Sequence, residues 1–194
     1  MYDKKAHEKA ADLAIKIAES TNPLRAGQPP GVFRKPRPEG VVFGEPYYYL
    51  ERRCHAITLE ALQPLIELKW DRLIDVTEGL GAGYSGMGEV CGAVTGAIIA
   101  FGLDLASRYR DQVLLRLLIS RATHKFMRAV KEEFGSYLCR DINRHDLSHF
   151  LEEGDKGWDS FVKDESAIMR CGAIQRFTIM YPLPHEEGDY LDVK

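Results

Sequence analysis

The chain is predicted to be all-α, a helical bundle of about five to six helices with an extended proline-rich arm near its N-terminus. Three observations carry this. After residue 50 apolar residues recur at helical spacing, and strand signals are nearly absent. Six of the nine prolines fall between Asn22 and Pro46, so that stretch cannot be helical. A run of small and apolar residues, Cys91–Ala100, follows a cluster of glycines and reads as a buried helix.

Taken in order, residues 3–20 form a helix with Ala6, Ala10, Leu13 and Ile17 on one face. The segment 22–49 is an arm of polyproline character that ends in Tyr47, Tyr48 and Tyr49. It carries Val32, Phe33, Val41, Val42 and Phe43, so it should pack on its own domain or on a second copy; a homodimer with crossed arms is expected. A short helix runs from Cys54 towards Gln63, and Pro64 opens another through Leu65, Leu68, Leu73 and Val76. The glycine loop and the Cys91 helix come next. A long helix follows from Arg110 to Phe134, apolar at Val113, Leu114, Leu117, Leu118, Phe126 and Val130, with Gly135 as its C-cap. Cys139–Phe150 reads as a short helix and Trp158–Met180 as a longer one, which Pro182 and Pro184 stop. The division is an N-terminal helix (1–21), the arm (22–49), a four-cysteine helical domain (50–181) and a tail (182–194).

The 194 residues suit one domain, and a hydrophobic content of 45% supports a core. A net charge of −3, with no basic block, argues against a nucleic-acid partner. The most apolar stretch, Val90–Leu103, is fourteen residues long and too short to span a bilayer. The N-terminus lacks the apolar core of a secretion signal. A soluble cytoplasmic protein is expected.

Chemistry concentrates in Gly79–Gly102. Five glycines (Gly79, Gly81, Gly83, Gly86, Gly88) precede Cys91, which marks backbone that turns tightly or approaches something closely. Glu89 favours helix initiation there, and Cys91 falls in the first turn, where free N–H groups and the positive dipole end favour a thiolate. Gly92 and Gly96 are a small-xxx-small pair that lets another backbone close on this helix.

Cys54, Cys91, Cys139 and Cys171 fall one on each of four helices or helix junctions, and can converge at one end of a bundle. Four thiolates suit a [2Fe–2S] or [4Fe–4S] cluster or a zinc ion; the plainer reading is four small buried residues. The gaps of 37, 48 and 32 residues carry no local ligand signature, and no CxxC pair is present.

The string GYSGMGEVCGAVTGAIIAFGL resembles the central motif of the redox-active proteins named for their C–GCAxxG–C–C pattern. Phe134-Gly135-Ser136 followed by Cys139-Arg140 resembles the stretch around that family's third cysteine, and Cys54 and Cys171 match the first and fourth. The resemblance covers about residues 50–175. The core departs at two places: Val90 stands for the first glycine, and Gly96 falls one place after the second. Split-Soret cytochromes resemble this family too, but they bind haem through CxxCH, which this chain lacks, so no covalent haem is expected. The resemblance implies an α-helical redox protein, with Cys54, Cys91, Cys139 and Cys171 as iron–sulfur ligands or redox thiols, serving electron transfer or redox sensing. It could act as an oxidoreductase or as an electron-transfer component with a redox partner protein.

Two other functions stand beside the cluster. One is a thiol–disulfide protein in which Cys91 is the low-pKa nucleophile. The other is a non-catalytic helical scaffold with a structural zinc or no metal. His145 and His149, spaced i, i+4, could hold a metal on a helix, but solvated residues beside Asp146 are the plainer reading. His55 neighbours Cys54 and could replace it as a ligand, or simply cap or make a surface contact, and His124 reads as an ordinary helix histidine. Arg52, Arg53, Arg108, Arg110, Arg121 and Arg140 flank the site elements and either offset a cluster's charge or form surface ion pairs. Gly81–Gly86 spells GxGxxG, but no strand signal precedes it, and GxxxxGK[ST] is missing from the glycine loop, so no nucleotide site is read.

Overall fold

The computed structural model describes residues 2–20, 54–69, 72–149 and 156–186. The proline-rich arm and its three tyrosines lie outside the described residues, as do Arg52 and Arg53. The architecture is all-α. The helices are α1 (Lys4–Ser20), α2 (Cys54–Leu62), α3 (Leu73–Val76), α4 (Gly92–Arg108), α5 (Gln112–Phe134), α6 (Cys139–Asn143), α7 (Lys156–Lys163) and α8 (Glu165–Met180). Among the described residues the extended pairing is a single antiparallel bridge, Val90 with Leu138.

Helix α4 is the hub, with α2, α5 and α8 packed on it, and α1 closes over α2 and α8. The face of α1 that turns inward differs from the expected one. Ala10, Ala11, Ala14 and Ala18 are buried, while Leu13 and Ile17 are half-buried, because a stripe of alanines lets the helix axes approach. His7, wholly buried, places Nδ1 2.5 Å from the carbonyl oxygen of Ile179, and Tyr2 donates its hydroxyl to Met180 O at 2.7 Å. Both contacts satisfy carbonyls at the C-terminal end of α8, where no intrahelical donor remains.

Three elements are shorter than the sequence suggested, each for a local reason. Pro64 sits in a 3₁₀ turn, Gln63–Leu65, and the chain is extended at Ile66, whose side chain enters the core. Lys69 closes that turn by donating to the carbonyls of Gln63 and Ile66. Helix α6 stops at Asn143 because Arg144 is left-handed (φ 63°) and Arg170 occupies the last carbonyls, Nε to Ile142 O at 2.7 Å and Nη2 to Asn143 O at 2.9 Å. The expected helix from Trp158 to Met180 is two helices, since Asp164 leaves helical geometry to cap α8, accepting from Ser166 N at 2.9 Å and Ala167 N at 3.2 Å.

Helix α5 ends at Phe134 as predicted and starts at Gln112, two residues after the expected Arg110, where Asp111 caps it. Asp111 accepts from Val113 N and Leu114 N, both at 2.9 Å, and Gly135 takes the left-handed C-cap at φ 76°. Leu115, Leu118, Ala122, Phe126 and Val130 face the core. Phe126 meets Phe101 of α4 edge to face, ring centres 5.1 Å apart. At the far end of α4, Asp104 is fully buried. Its carboxylate accepts from His185 N at 3.1 Å, lies 2.7 Å from His185 Nδ1, and pairs with Arg108 Nε at 3.5 Å. No sequence signal marked this pair, which ties the chain after α8 back to the hub helix.

Candidate functional site

The site is built where α2, α4 and α6 begin. Gly96 makes the first approach possible. A Cβ there would stand 2.7 Å from His55 O and 3.1 Å from Thr58 Cβ, so α2 crosses α4 closer than any side chain would allow. One turn earlier, a Cβ on Gly92 would meet Leu80 O at 3.2 Å and Cys54 Cβ at 3.4 Å. The small-xxx-small pair therefore sets Cys54 against the backbone beside Cys91. His55, the next residue of α2, is fully buried in the crossing.

The second approach runs through the glycine loop. Ala82, Gly83, Tyr84 and Ser85 have φ of 52°, 67°, 61° and 52°, and Ser85 N donates to Gly81 O at 2.8 Å. This is one turn of left-handed helix, and three of its four residues carry a Cβ. Each of those three costs about 1–2 kcal/mol relative to right-handed geometry. At Gly83 a Cβ would lie 2.6 Å from Glu89 N and 2.8 Å from Cys139 Cβ, so only glycine lets Cys139 seat there.

Cross-chain hydrogen bonds lock the loop to the start of α6. Cys91 N donates to Tyr137 O at 2.9 Å, Cys139 N to Glu89 O at 2.6 Å, and Arg140 N to Gly88 O at 3.0 Å. With Val90 opposite Leu138, the alternation of side chains puts Cys91 and Cys139 on the same face at diagonal positions, a geometry that spans roughly 7–8 Å in a regular ladder. Asn143 donates to Cys139 Sγ at 3.3 Å. Arg140 pairs with Glu89 at 2.8 Å on the outer side. Glu89 thus holds the loop rather than the first helical turn, and Cys91 is the N-cap of α4.

Cys171 lies on α8, between two contacts that bind this helix to the site. Arg170 holds the end of α6, and Gln175, one turn on, donates to Cys54 O at 3.2 Å. The Cys171 side chain packs with Leu147, Phe161 and Ala167, a small cluster apart from the main core. No disulfide joins the four cysteines.

The electrostatics of Cys91 reverse the expectation from sequence. The N–H groups of Ala93 and Val94 do pull its pKa down, as a helix start should. Burial outweighs them, and the neighbouring Cys54 adds to the rise, so the thiol moves from 9.0 up to about 12. Cys91 is held as a protonated thiol beside a second sulfur.

His55 makes neither the cap nor the surface contact expected of it: the close approach of α2 at Gly96 buries it completely. His145 is not on a helix with His149; its Nε2 lies 2.9 Å from Asp164 Oδ2, and this hydrogen bond leads the causes that hold the Asp164 carboxyl well below the usual range. Arg108 pairs with Asp104 and, at 4.0 Å, with Glu67. Among the described residues no three or more His, Cys, Asp or Glu side chains are arranged to hold a metal ion. As placed, Cys54 and Cys91 adjoin and Cys139 shares their surroundings. Cys171, on α8, packs with its own small cluster.

Fold and site together define an all-helical protein with reduced cysteines gathered under a glycine loop. Residues 52–180 match the model of the family described as "Putative redox-active protein (C_GCAxxG_C_C)", and the chain belongs to this family. That membership supports a redox role. Comparison with curated proteins finds no match, and comparison with solved structures finds none either. Among the described residues no helix is long and apolar enough to cross a membrane.

Proposed function

We propose that the chain is a thiol–disulfide redox protein whose working pair is Cys54 and Cys91. The observation that carries this is their juxtaposition: Cys54 packs against Gly92, and its sulfur is close enough to raise Cys91. Two thiols this close in a buried site cannot both ionise, so a covalent bond between them relieves the site of the second charge. Cys54 is the more exposed of the two and leads. Its thiolate attacks a disulfide on an oxidised partner, forming a mixed disulfide and releasing one partner thiolate. Cys91 then gives up its proton and attacks the Cys54 sulfur. The Cys54–Cys91 disulfide forms and the second partner thiolate leaves. Two electrons and two protons pass to the partner, which ends as a dithiol.

A second reading of the same residues, an iron–sulfur cluster on Cys54, Cys91, Cys139 and Cys171, draws on the shared face of Cys91 and Cys139 and on the family's redox character. One experiment separates the two. Protein purified anaerobically is analysed for iron, sulfide and colour, then oxidised with diamide and digested for disulfide mapping. A colourless protein that loses two thiols and yields a Cys54–Cys91 cross-linked peptide supports the dithiol. A brown protein whose iron is lost in each of the four Cys→Ser variants overturns it in favour of the cluster. Oxidation that links other cysteines, or none, overturns it outright.

A further inference from the structure

The solvent face of α5 concentrates positive charge outside the cysteine region. From Gln112 to Lys131 this helix has no acidic residue, yet it carries Arg116, Arg121, Lys125, Arg128 and Lys131 in a chain whose net charge is −3. At 100° per residue these five cations spread over about half the helix circumference. The buried side chains, Leu115 to Val130, fill the other half. Arg121, His124, Lys125 and Arg128 recur at i, i+3, i+4 and i+7 and line a cleft of about 690 Å³ walled by Tyr181, with Glu132 the one acid at its C-terminal end.

Three features decide what this face can receive. First, it is long: nineteen residue steps of helix span about 28 Å, more than one small anion can bridge. Second, it is not purely charged. Val113 and Leu117 point outward on the same arc and are 80% and 43% exposed. Cations interleaved with apolar side chains suit a protein surface, where charge steers encounter and apolar contact retains it. Third, the apolar half of α5 is consumed by the core, so the helix has no face left to sink into lipid. The strip also leads to the cysteines, since α5 ends at Gly135 and the carbonyl of Tyr137 holds Cys91 N.

We propose that the outer face of α5 is the docking surface for an acidic redox partner protein. That the partner is a redox protein rests on the thiol reading above; that the face receives an acidic surface rests on its charges and shape alone. The test uses a fluorescein-labelled peptide of ten glutamates as the probe, titrated with the full-length reduced protein and followed by anisotropy. Binding is expected at about 0.01 M salt and should weaken at least ~10-fold at about 0.1 M, as the screening length falls from roughly 30 Å to 10 Å. The exposed pair Lys125→Gln with Arg128→Gln should weaken binding ~10-fold at low salt. Lys4→Gln with Lys5→Gln on α1, an equal change of charge, should weaken it less than ~2-fold. Equal losses in the two double variants would reduce the effect to overall charge and overturn the proposal, as would no binding at low salt. So would pyrophosphate or anionic phospholipid vesicles displacing the peptide and showing the same variant dependence, which would make the face a small-anion or membrane site. Absence of a Cys54–Cys91 disulfide leaves this titration untouched, so failure of the redox reading and failure of the docking face are separately visible.

Discussion

Gly96→Ala should loosen the whole cysteine region, although it adds one methyl group to a helix. The new Cβ would stand 2.7 Å from the backbone oxygen of His55, where ordinary contact begins near 3.4 Å. Helix α2 must therefore retreat by roughly 0.7 Å, and because the obstacle is main chain, no rotamer change absorbs it. Overpacking of this kind costs about 1–3 kcal/mol. Alanine's better helix propensity returns at most about 1 kcal/mol. A net loss of about 1 kcal/mol is expected, with Cys54 alkylated faster by iodoacetamide as α2 moves off Gly92. Gly102→Ala on the same helix is the internal comparison. Its Cβ would meet only the end of Ile119 at 3.9 Å, so the propensity term acts alone and stability rises by about 0.5–1 kcal/mol. Urea denaturation of the two variants beside the parent reads both signs. A Gly96→Ala protein as stable as the Gly102→Ala one, with unchanged alkylation, would show that α2 and α4 are not held at backbone contact.

Three further outcomes are expected. Ala82→Gly should raise the urea midpoint, since relief of left-handed strain, about 1–2 kcal/mol, exceeds the entropic cost of glycine, about 0.4–1 kcal/mol; a loss of stability would mean the turn is not strained at Ala82. Asp104→Ala should cost about 1.5–3 kcal/mol, because it removes the charged hydrogen bonds to His185 and Arg108, whose own side chains still reach solvent; a loss under about 1 kcal/mol would show that the pair does not hold the chain after α8. Alkali should destabilise the protein through Cys91. A raised folded pKa gives stability that is complete below the unfolded value of 9.0 and is lost as pH climbs towards about 12, up to about 3 kcal/mol at pH ~11. Cys91→Ala should lack that part of the alkaline loss, and identical pH profiles for the two proteins would contradict it.

The helical class, the C-terminal end of α5, and Gly92 with Gly96 as a close-packing pair could be read from the chain because each rests on local signals: apolar period, a glycine cap, and spacing on one helix. What could not be read depended on partners far away. Helix α6 ends early because Arg170, nearly thirty residues on, takes its carbonyls. The break at Asp164 did have a local signal, an acid followed by Glu165 and Ser166 in N-cap order, but the apolar period on either side masked it. Cys91 was assigned to the right helix end and the wrong charge state. The helix start lowers its pKa as expected, but the depth of burial and the proximity of Cys54 follow from tertiary packing that no local pattern encodes. Val113 and Leu117 carried the apolar period outward onto the solvent face, where periodicity alone cannot tell a core stripe from a docking one.

The hydrogen bonds that cover the cysteines also order events during synthesis. Cys91 N waits for Tyr137, and the carbonyl of Cys54 waits for Gln175, 121 residues later. At about 5–20 residues per second, Gln175 follows Cys54 by roughly 6–24 s. Throughout that interval the nascent chain carries Cys54 without the cover that α8 later supplies, and Cys91 lacks its tether to Tyr137 for the first part of it. Thiol capture by oxidants or by stray metal ions is therefore most probable before the chain is released, and the surroundings in which it is made bear on the redox state in which it first folds.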